Sequence, residues 1–172
     1  TARLTQGSSS AASDGYKGQS EGGELMIEIK TIEINKKSQI DLLILADPCE
    51  EMIDKYLNKG TMYALYDNKE LTCIAVVNEI SKEICELKNI ATYEHFQNMG
   101  YASKMIYHLL DVYSKKYSSM VVGTSESGVP FYEKFGFVYS HKIKNFFVDN
   151  YPEPIFEGEL QCVDMLYLSY NF

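Results

Sequence analysis

The chain has 172 residues, 45% of them hydrophobic and 13% aromatic, which excludes a disordered polymer, a collagen-like fibre and a coiled coil. With 16 basic against 24 acidic residues, its formal charge of −8 argues against duplex nucleic acid as a partner. Its longest aliphatic run, Leu42-Leu43-Ile44-Leu45-Ala46, falls far short of the roughly 18–20 apolar residues that a membrane-spanning helix needs, so no membrane partner is expected.

Residues 1–25 hold five of the eleven glycines and five serines, and such a segment cannot build a core. Because Met26 is the first methionine and opens a patterned strand, residues 1–25 are expected to be a disordered leader added upstream of a native start. Residues 26–32 alternate apolar and polar side chains as a half-buried strand does. Two helices are predicted next. The first covers residues 38–46, and the second ends at Gly60 after Asp47-Pro48-Cys49-Glu50, which reads as a capping box with proline at the first helical position. Residues 61–66 and 71–80 then form a hairpin around Asp67-Asn68-Lys69-Glu70.

The next strand is residues 84–92, and a polar loop over residues 93–99 leads into the strongest helix. There Ala102, Met105, Ile106, Leu109, Leu110, Tyr113 and Tyr117 recur at spacings of three and four, one broad stripe to lay on a sheet. Residues 119–124 read as a buried strand and residues 129–135 as a short helix stopped by Gly136. Residues 137–149 and 162–170 read as two closing strands separated by Pro152 and Pro154. The order is that of an α/β chain with a mixed sheet. A helix that starts at a glycine just after a strand offers free N–H groups and a positive dipole end, so an anion site is expected near Gly100.

The cysteines, Cys49, Cys73, Cys85 and Cys162, form no C-x-x-C pair and share no clustered spacing with His95, His108 or His141. That pattern argues against zinc and against a disulfide framework; no metal is expected, and a reducing, cytoplasmic setting fits. Cys73 and Cys85 read as small buried strand residues, not nucleophiles.

At the glycine turn, Gln97-Asn98-Met99-Gly100-Tyr101-Ala102 resembles the Gln/Arg-x-x-Gly-x-Gly/Ala motif of the GNAT superfamily of acyl-CoA-dependent N-acyltransferases. Further on, Phe131-Tyr132-Glu133-Lys134-Phe135-Gly136-Phe137 resembles the family's aromatic-Tyr-Glu-Lys-hydrophobic-Gly-Phe motif. No Gly-x-Gly-x-x-Gly or Gly-Lys-Ser/Thr loop competes for the phosphate role. The resemblance implies a bacterial-type, single-domain member over residues 26–172 with the GNAT fold. That fold is a mixed, mostly antiparallel sheet of about seven strands, flanked by about four helices, with a splayed central strand pair.

The implied reaction is transfer of acetyl from acetyl-CoA to a primary amine, on a small molecule or a peptide, by direct attack in a ternary complex without metal. A non-catalytic acyl-CoA-binding or regulatory module of the same fold is the alternative. By the resemblance, the amides from Met99 to Ser103, including those of Tyr101 and Ala102, hold the coenzyme diphosphate together with Gln97 and Asn98, and Lys104 is near enough to add a contact. Ile90, Ala91 and Thr92 lie where the family's strand pairs with the pantetheine arm and polarises the thioester carbonyl. Tyr132 matches the general acid at the sulfur. Glu86 matches the glutamate base of the superfamily's histone acetyltransferases in position; Glu94, Asn89, Glu126 or an ordered water stand as alternatives. Ser125 falls where many members carry a coenzyme-binding asparagine, and Gly128 where alanine is common. The acceptor pocket is expected around residues 42–49, residues 144–160 and the closing strands, and a homodimer through the last strands is compatible with this reading.

Overall fold

Strand alternation in the first half of the chain folds as patterned. The computed structural model describes residues 26–172; the expected leader over residues 1–25 lies outside the described residues. β1 (Ile27–Ile32) pairs antiparallel with β2 (Thr61–Asp67), β2 with β3 (Glu70–Glu79) and β3 with β4 (Ile84–Thr92). Between β1 and β2 run a 3-10 turn (Lys36–Gln39), α1 (Ile40–Ala46) and α2 (Glu50–Leu57). A crossover helix, α3 (Tyr101–Ser114), leads to β5 (Ser119–Thr124), which lies parallel to β4. The chain closes with α4 (Val129–Glu133), β6 (Val138–Ile143), α5 (Phe146–Asn150), a small ribbon of β7 (Phe156–Glu157) and β8 (Leu160–Gln161), and β9 (Met165–Asn171). The main sheet has seven strands in the order β1-β2-β3-β4-β5-β9-β6, and β4–β5 is its one parallel contact among the described residues.

Helices cover both faces because β3 is apolar on both. Cys73, Ala75 and Val77 turn toward α3 and α4, and Ile74 and Val76 turn toward α1 and α2. The α3 segment contains no glycine or proline, and its stripe of Met105, Ile106, Leu109 and Leu110 is buried against the sheet. Each such side chain contributes about 1.5–3 kcal/mol relative to exposure. No helix among the described residues is long and apolar enough to cross a membrane.

Three stretches depart from the sequence expectation. The strand expected over residues 137–149 stops at Ile143, because Asn145 adopts a left-handed conformation (φ 55°) and starts α5. Its apolar run turns off the sheet into a third core, where Phe147 packs with Tyr151, Ile155, Cys162 and Met165. This makes five α-helices instead of four. The last strand begins at Met165 instead of residue 162, because residues 160–161 are taken by the ribbon. Finally, the capping box does not form: Cys49 is the N-cap of α2, without a side-chain cap, and Asp47 ends α1 with its carboxylate fully buried.

Candidate active site

β4 and β5 are neighbours only from the Ile84–Ser119 pair to the Leu87–Val122 pair. The register of β4 against β3 slips between Val76 and Val77, leaving Lys88 as the extra residue of a β-bulge. On the other side Gly123 and Thr124 continue along β9. A gap therefore opens beyond Leu87. The Tyr93 N–H donates to the Thr72 carbonyl (3.1 Å), so antiparallel alternation turns the Ala91 backbone toward β3 and those of Ile90 and Thr92 into the gap. The Thr92 carbonyl does point that way, since it accepts a hydrogen bond from Gln97 Nε2 (3.2 Å). Of the three expected strand residues, Ile90 and Thr92 thus face the gap with their backbone and Ala91 does not.

Gln97 leads into a turn in which Asn98 (φ 63°) and Gly100 (φ 84°) are both left-handed. At Gly100 an added Cβ would meet only Lys104 Nζ within 4 Å, at 3.7 Å, so the position is open to a ligand as well as restricted in backbone. α3 carries no side-chain cap at this end, and its first backbone bond is Lys104 N–H to Gly100 O (3.0 Å). The amides of Tyr101, Ala102 and Ser103 therefore have no acceptor within the helix. Tyr101 is buried, and its hydroxyl donates to Asp67 Oδ2 (2.5 Å) at the β2–β3 turn. Lys104 places its ammonium over the Tyr101 ring at 5.8 Å. Unsatisfied N–H groups, a helix dipole and an ammonium at one open glycine make a cradle that fits a diphosphate.

Tyr132, on α4, is 0% exposed, and its hydroxyl has no hydrogen-bond partner among the described residues. It packs between Phe131 and Phe137. Burial, reinforced by neighbouring Cys73, holds the phenol far above its ordinary pKa, so it stays protonated. Burial also pushes the Cys73 and Cys85 thiols up to about 12, which keeps both un-ionised and inert at neutral pH.

Glu86 is 6% exposed on the α1/α2 side of β4. Its Oε1 accepts from the Tyr167 hydroxyl (2.9 Å) and Lys88 Nζ (3.0 Å). The bulge sets Lys88 and Asn89 on this same side, Lys88 reaching over the Tyr56 ring at 5.9 Å. His141 stacks on Tyr167 at 4.9 Å. His108 instead packs edge-on to Tyr63, and among the described residues no group of His, Cys, Asp and Glu could hold a metal ion.

Ser125 directly follows β5, but its hydroxyl is engaged: it donates to Glu157 Oε2 (2.7 Å), which Ser127 also contacts. A pocket of about 250 Å³ adjoins this latch. At Gly128 a side chain would collide with the Thr124 hydroxyl, which accounts for glycine at this position.

A second cluster was not foreseen. The carboxylate of Asp47, 0% exposed, accepts from the Tyr151 hydroxyl (3.1 Å) and the Cys49 N–H (3.4 Å) on Oδ1 and from the Tyr56 hydroxyl (3.4 Å) on Oδ2. Asn89 Nδ2 donates to Tyr56 Oη (2.9 Å) and to the Leu43 carbonyl (3.1 Å). Burial raises the Asp47 carboxyl above its usual pKa. A sequence signal for this cluster was present in Asp47 itself, but it reads equally well as a helix cap.

Comparison with known proteins agrees with this geometry. The family model described as an acetyltransferase (GNAT) domain matches residues 58–139. An uncharacterised N-acetyltransferase of Bacillus subtilis (strain 168), YvbK, is 32% identical over 132 residues, covering 74% of this chain and 85% of that one. Among solved structures, a GNAT family acetyltransferase from Elizabethkingia anophelis with acetyl-CoA bound superposes with a TM-score of 0.81 at 37% identity, covering 85% of this chain and 98% of that one. A Bacillus subtilis acetyltransferase in complex with CoA gives 0.79 at 28% identity, over 86% and 99%.

Proposed function

The chain belongs to the GNAT acetyltransferase family, and on that premise we propose that residues 26–172 form a domain that transfers acetyl from acetyl-CoA to a primary amine by direct attack in a ternary complex. Acetyl-CoA, when bound, supplies the acetyl group as an activated thioester. The observation that carries the coenzyme site is the uncapped N-terminus of α3, entered through left-handed Asn98 and Gly100 at the mouth of the β4–β5 gap. Amides of Met99 to Ser103 would hold the diphosphate, with Lys104 as counter-charge. The outward backbone of Ile90 and Thr92 would pair with the pantetheine arm, and an amide of that stretch would polarise the carbonyl.

Tyr132 is suited to give its proton to the departing sulfur, because its buried phenol has no other acceptor among the described residues. Glu86 is suited to take a proton from the amine on the opposite face, with Tyr167 fixing its carboxylate. Ser125 contributes through the Glu157 latch, which ties β7 over the end of β5. The amine acceptor, small or peptidic, would enter between α1–α2 and α5–β9, where Glu86 supplies negative charge. Cysteines without a C-x-x-C pair or clustered spacing in the sequence support a reducing, cytoplasmic setting. Val138 and Tyr139, exposed on edge strand β6, support pairing of two copies.

The test is calorimetric titration with acetyl-CoA of the wild-type protein and of Gly100→Glu, followed by a panel of amines. Binding lost in the variant, with turnover of some amine, supports the reading. Binding without turnover returns the non-catalytic module, and no binding by folded wild type overturns the coenzyme site.

A further inference from the structure

The β4 bulge is not held by the sheet alone. Its two residues both rest on Tyr56: Lys88 places its ammonium over the ring, and Asn89 donates to the hydroxyl. An amide N–H can only donate, so Tyr56 Oη accepts from Asn89, and its own proton is left to point at Asp47 Oδ2. The chain Asn89 to Tyr56 to Asp47 therefore has a fixed direction, terminated by a group that can only accept when ionised. Its environment makes the direction matter. Asp47, Asn89 and Tyr56 are all buried, and Asn89 Oδ1 has no partner among the described residues. The other arm of the Asn89 amide grips the Leu43 carbonyl, the same oxygen that receives the Asp47 N–H (3.1 Å). α1 and the bulge are thereby tied through one acceptor.

A buried carboxylate with only hydroxyl and amide donors is a costly way to stabilise a fold, and an apolar side chain would pack there without that cost. We propose that Asp47 is a positioning residue for acyl transfer, acting through Tyr56 and Asn89 to fix the β4 bulge and thereby aim the outward backbone of Ile90 and Thr92 at the thioester carbonyl. This inference rests on the acetyl-CoA reading of the gap given above. Asp47 touches no reacting atom. With Asp47→Asn, an N–H donor faces Tyr56, the hydroxyl proton loses its acceptor, and the directed chain from Asn89 no longer has a terminus. With Tyr56→Phe the chain is cut while Asp47 keeps its bonds to Tyr151 and Cys49.

The experiment is infrared difference spectroscopy of acetyl-CoA labelled with carbon-13 at the thioester carbonyl, bound to the full chain, with affinity measured alongside by calorimetry. Wild type is expected to shift the carbonyl band to lower frequency than in free acetyl-CoA. Asp47→Asn and Tyr56→Phe should each lose most of that shift, with Kd changed by no more than about twofold, and the double variant should lose no more than either alone. Tyr63→Phe removes a buried tyrosine contact on the opposite face, Tyr63 Oη to Tyr113 Oη at 3.4 Å, and should keep the full shift. If Asp47→Asn does not fold, Tyr56→Phe carries the test. A shift that survives in the single variants, or is absent from acetyl-CoA-bound wild type, overturns the proposal. Failure of wild type to bind acetyl-CoA overturns it together with the coenzyme reading.

Discussion

Leu87 and Val122 are the last residues at which β4 and β5 lie side by side; one residue later the bulge at Lys88 turns the strand away. The gap leaves the amide of Ile90 pointing outward and that of Ala91 bonded to β3. Hydrogen exchange of the free protein should show the Ile90 amide exchanging faster than that of Ala91. Saturating acetyl-CoA should slow Ile90 by about tenfold or more and leave Ala91 unchanged. Equal protection of both amides in the free protein would contradict the splay.

Gly100 carries two demands at once, a left-handed backbone and an open approach. Gly100→Ala should cost about 1–2 kcal/mol of stability from the backbone alone, read as a lowered Tm. Gly100→Glu should in addition cut acetyl-CoA affinity by about 100-fold or more, because it sets a carboxylate where the diphosphate belongs. Retained affinity in the second variant would place the coenzyme elsewhere.

Tyr132→Phe removes a hydroxyl that has no hydrogen-bond partner among the described residues. Its Tm should equal or exceed that of wild type, with a gain of up to about 1 kcal/mol, since an unmade buried hydrogen bond is a liability. The kcat for acetyl transfer should fall by about 100-fold. A variant that loses stability instead of turnover would assign Tyr132 to packing.

Glu86→Gln keeps an acceptor for the Tyr167 hydroxyl but removes the Glu86–Lys88 ion pair. Steady-state kinetics should show kcat/KM for the amine down by about 100-fold or more, with acetyl-CoA affinity intact. Tyr167→Phe, which only loosens the carboxylate, should cost about tenfold or less. A small loss at Glu86 would move the base role to Glu94, Asn89, Glu126 or water.

Burial holds the Asp47 carboxyl above its ordinary pKa, so the folded chain binds that proton more tightly than the unfolded one. The ionisation penalty is absent below the unfolded value of about 3.9, grows as pH rises through the raised folded value and is constant above it. Tm measured across that range should therefore move against wild type, relative to Asp47→Asn, as pH increases. A difference that is flat, or of opposite sign, would mean that the hydroxyl donors compensate the charge fully.

Legibility in the sequence followed locality. The bounds of β4 and the start of α3 were readable because alternation and a three-four stripe are properties of neighbouring residues, and the glycine turn sits between them. Residues 137–149 misled because Phe146 and Phe147 suit a strand as well as a helix, and Asn145 gives no sign of its left-handed backbone. Asp47 misled for a different reason. Its partner Tyr151 lies 104 residues away, and spacing alone cannot separate a carboxylate that caps a helix from one that is buried by distant tyrosines. Ser125 was singled out as a coenzyme contact, but its partner Glu157 could not be foreseen, because it comes from a two-residue strand too short to show a pattern.

Gln97 reaches back five residues to the Thr92 carbonyl, and Tyr101 fastens the first turn of α3 to Asp67. The turn at Gly100 is thus anchored on both flanks before any ligand arrives, and the conformational entropy of closing it is met during folding. Capture of the coenzyme should then be limited by encounter alone. In a Gln97→Ala chain each binding event would carry that ordering cost anew, and it would emerge as slower association at nearly unchanged release.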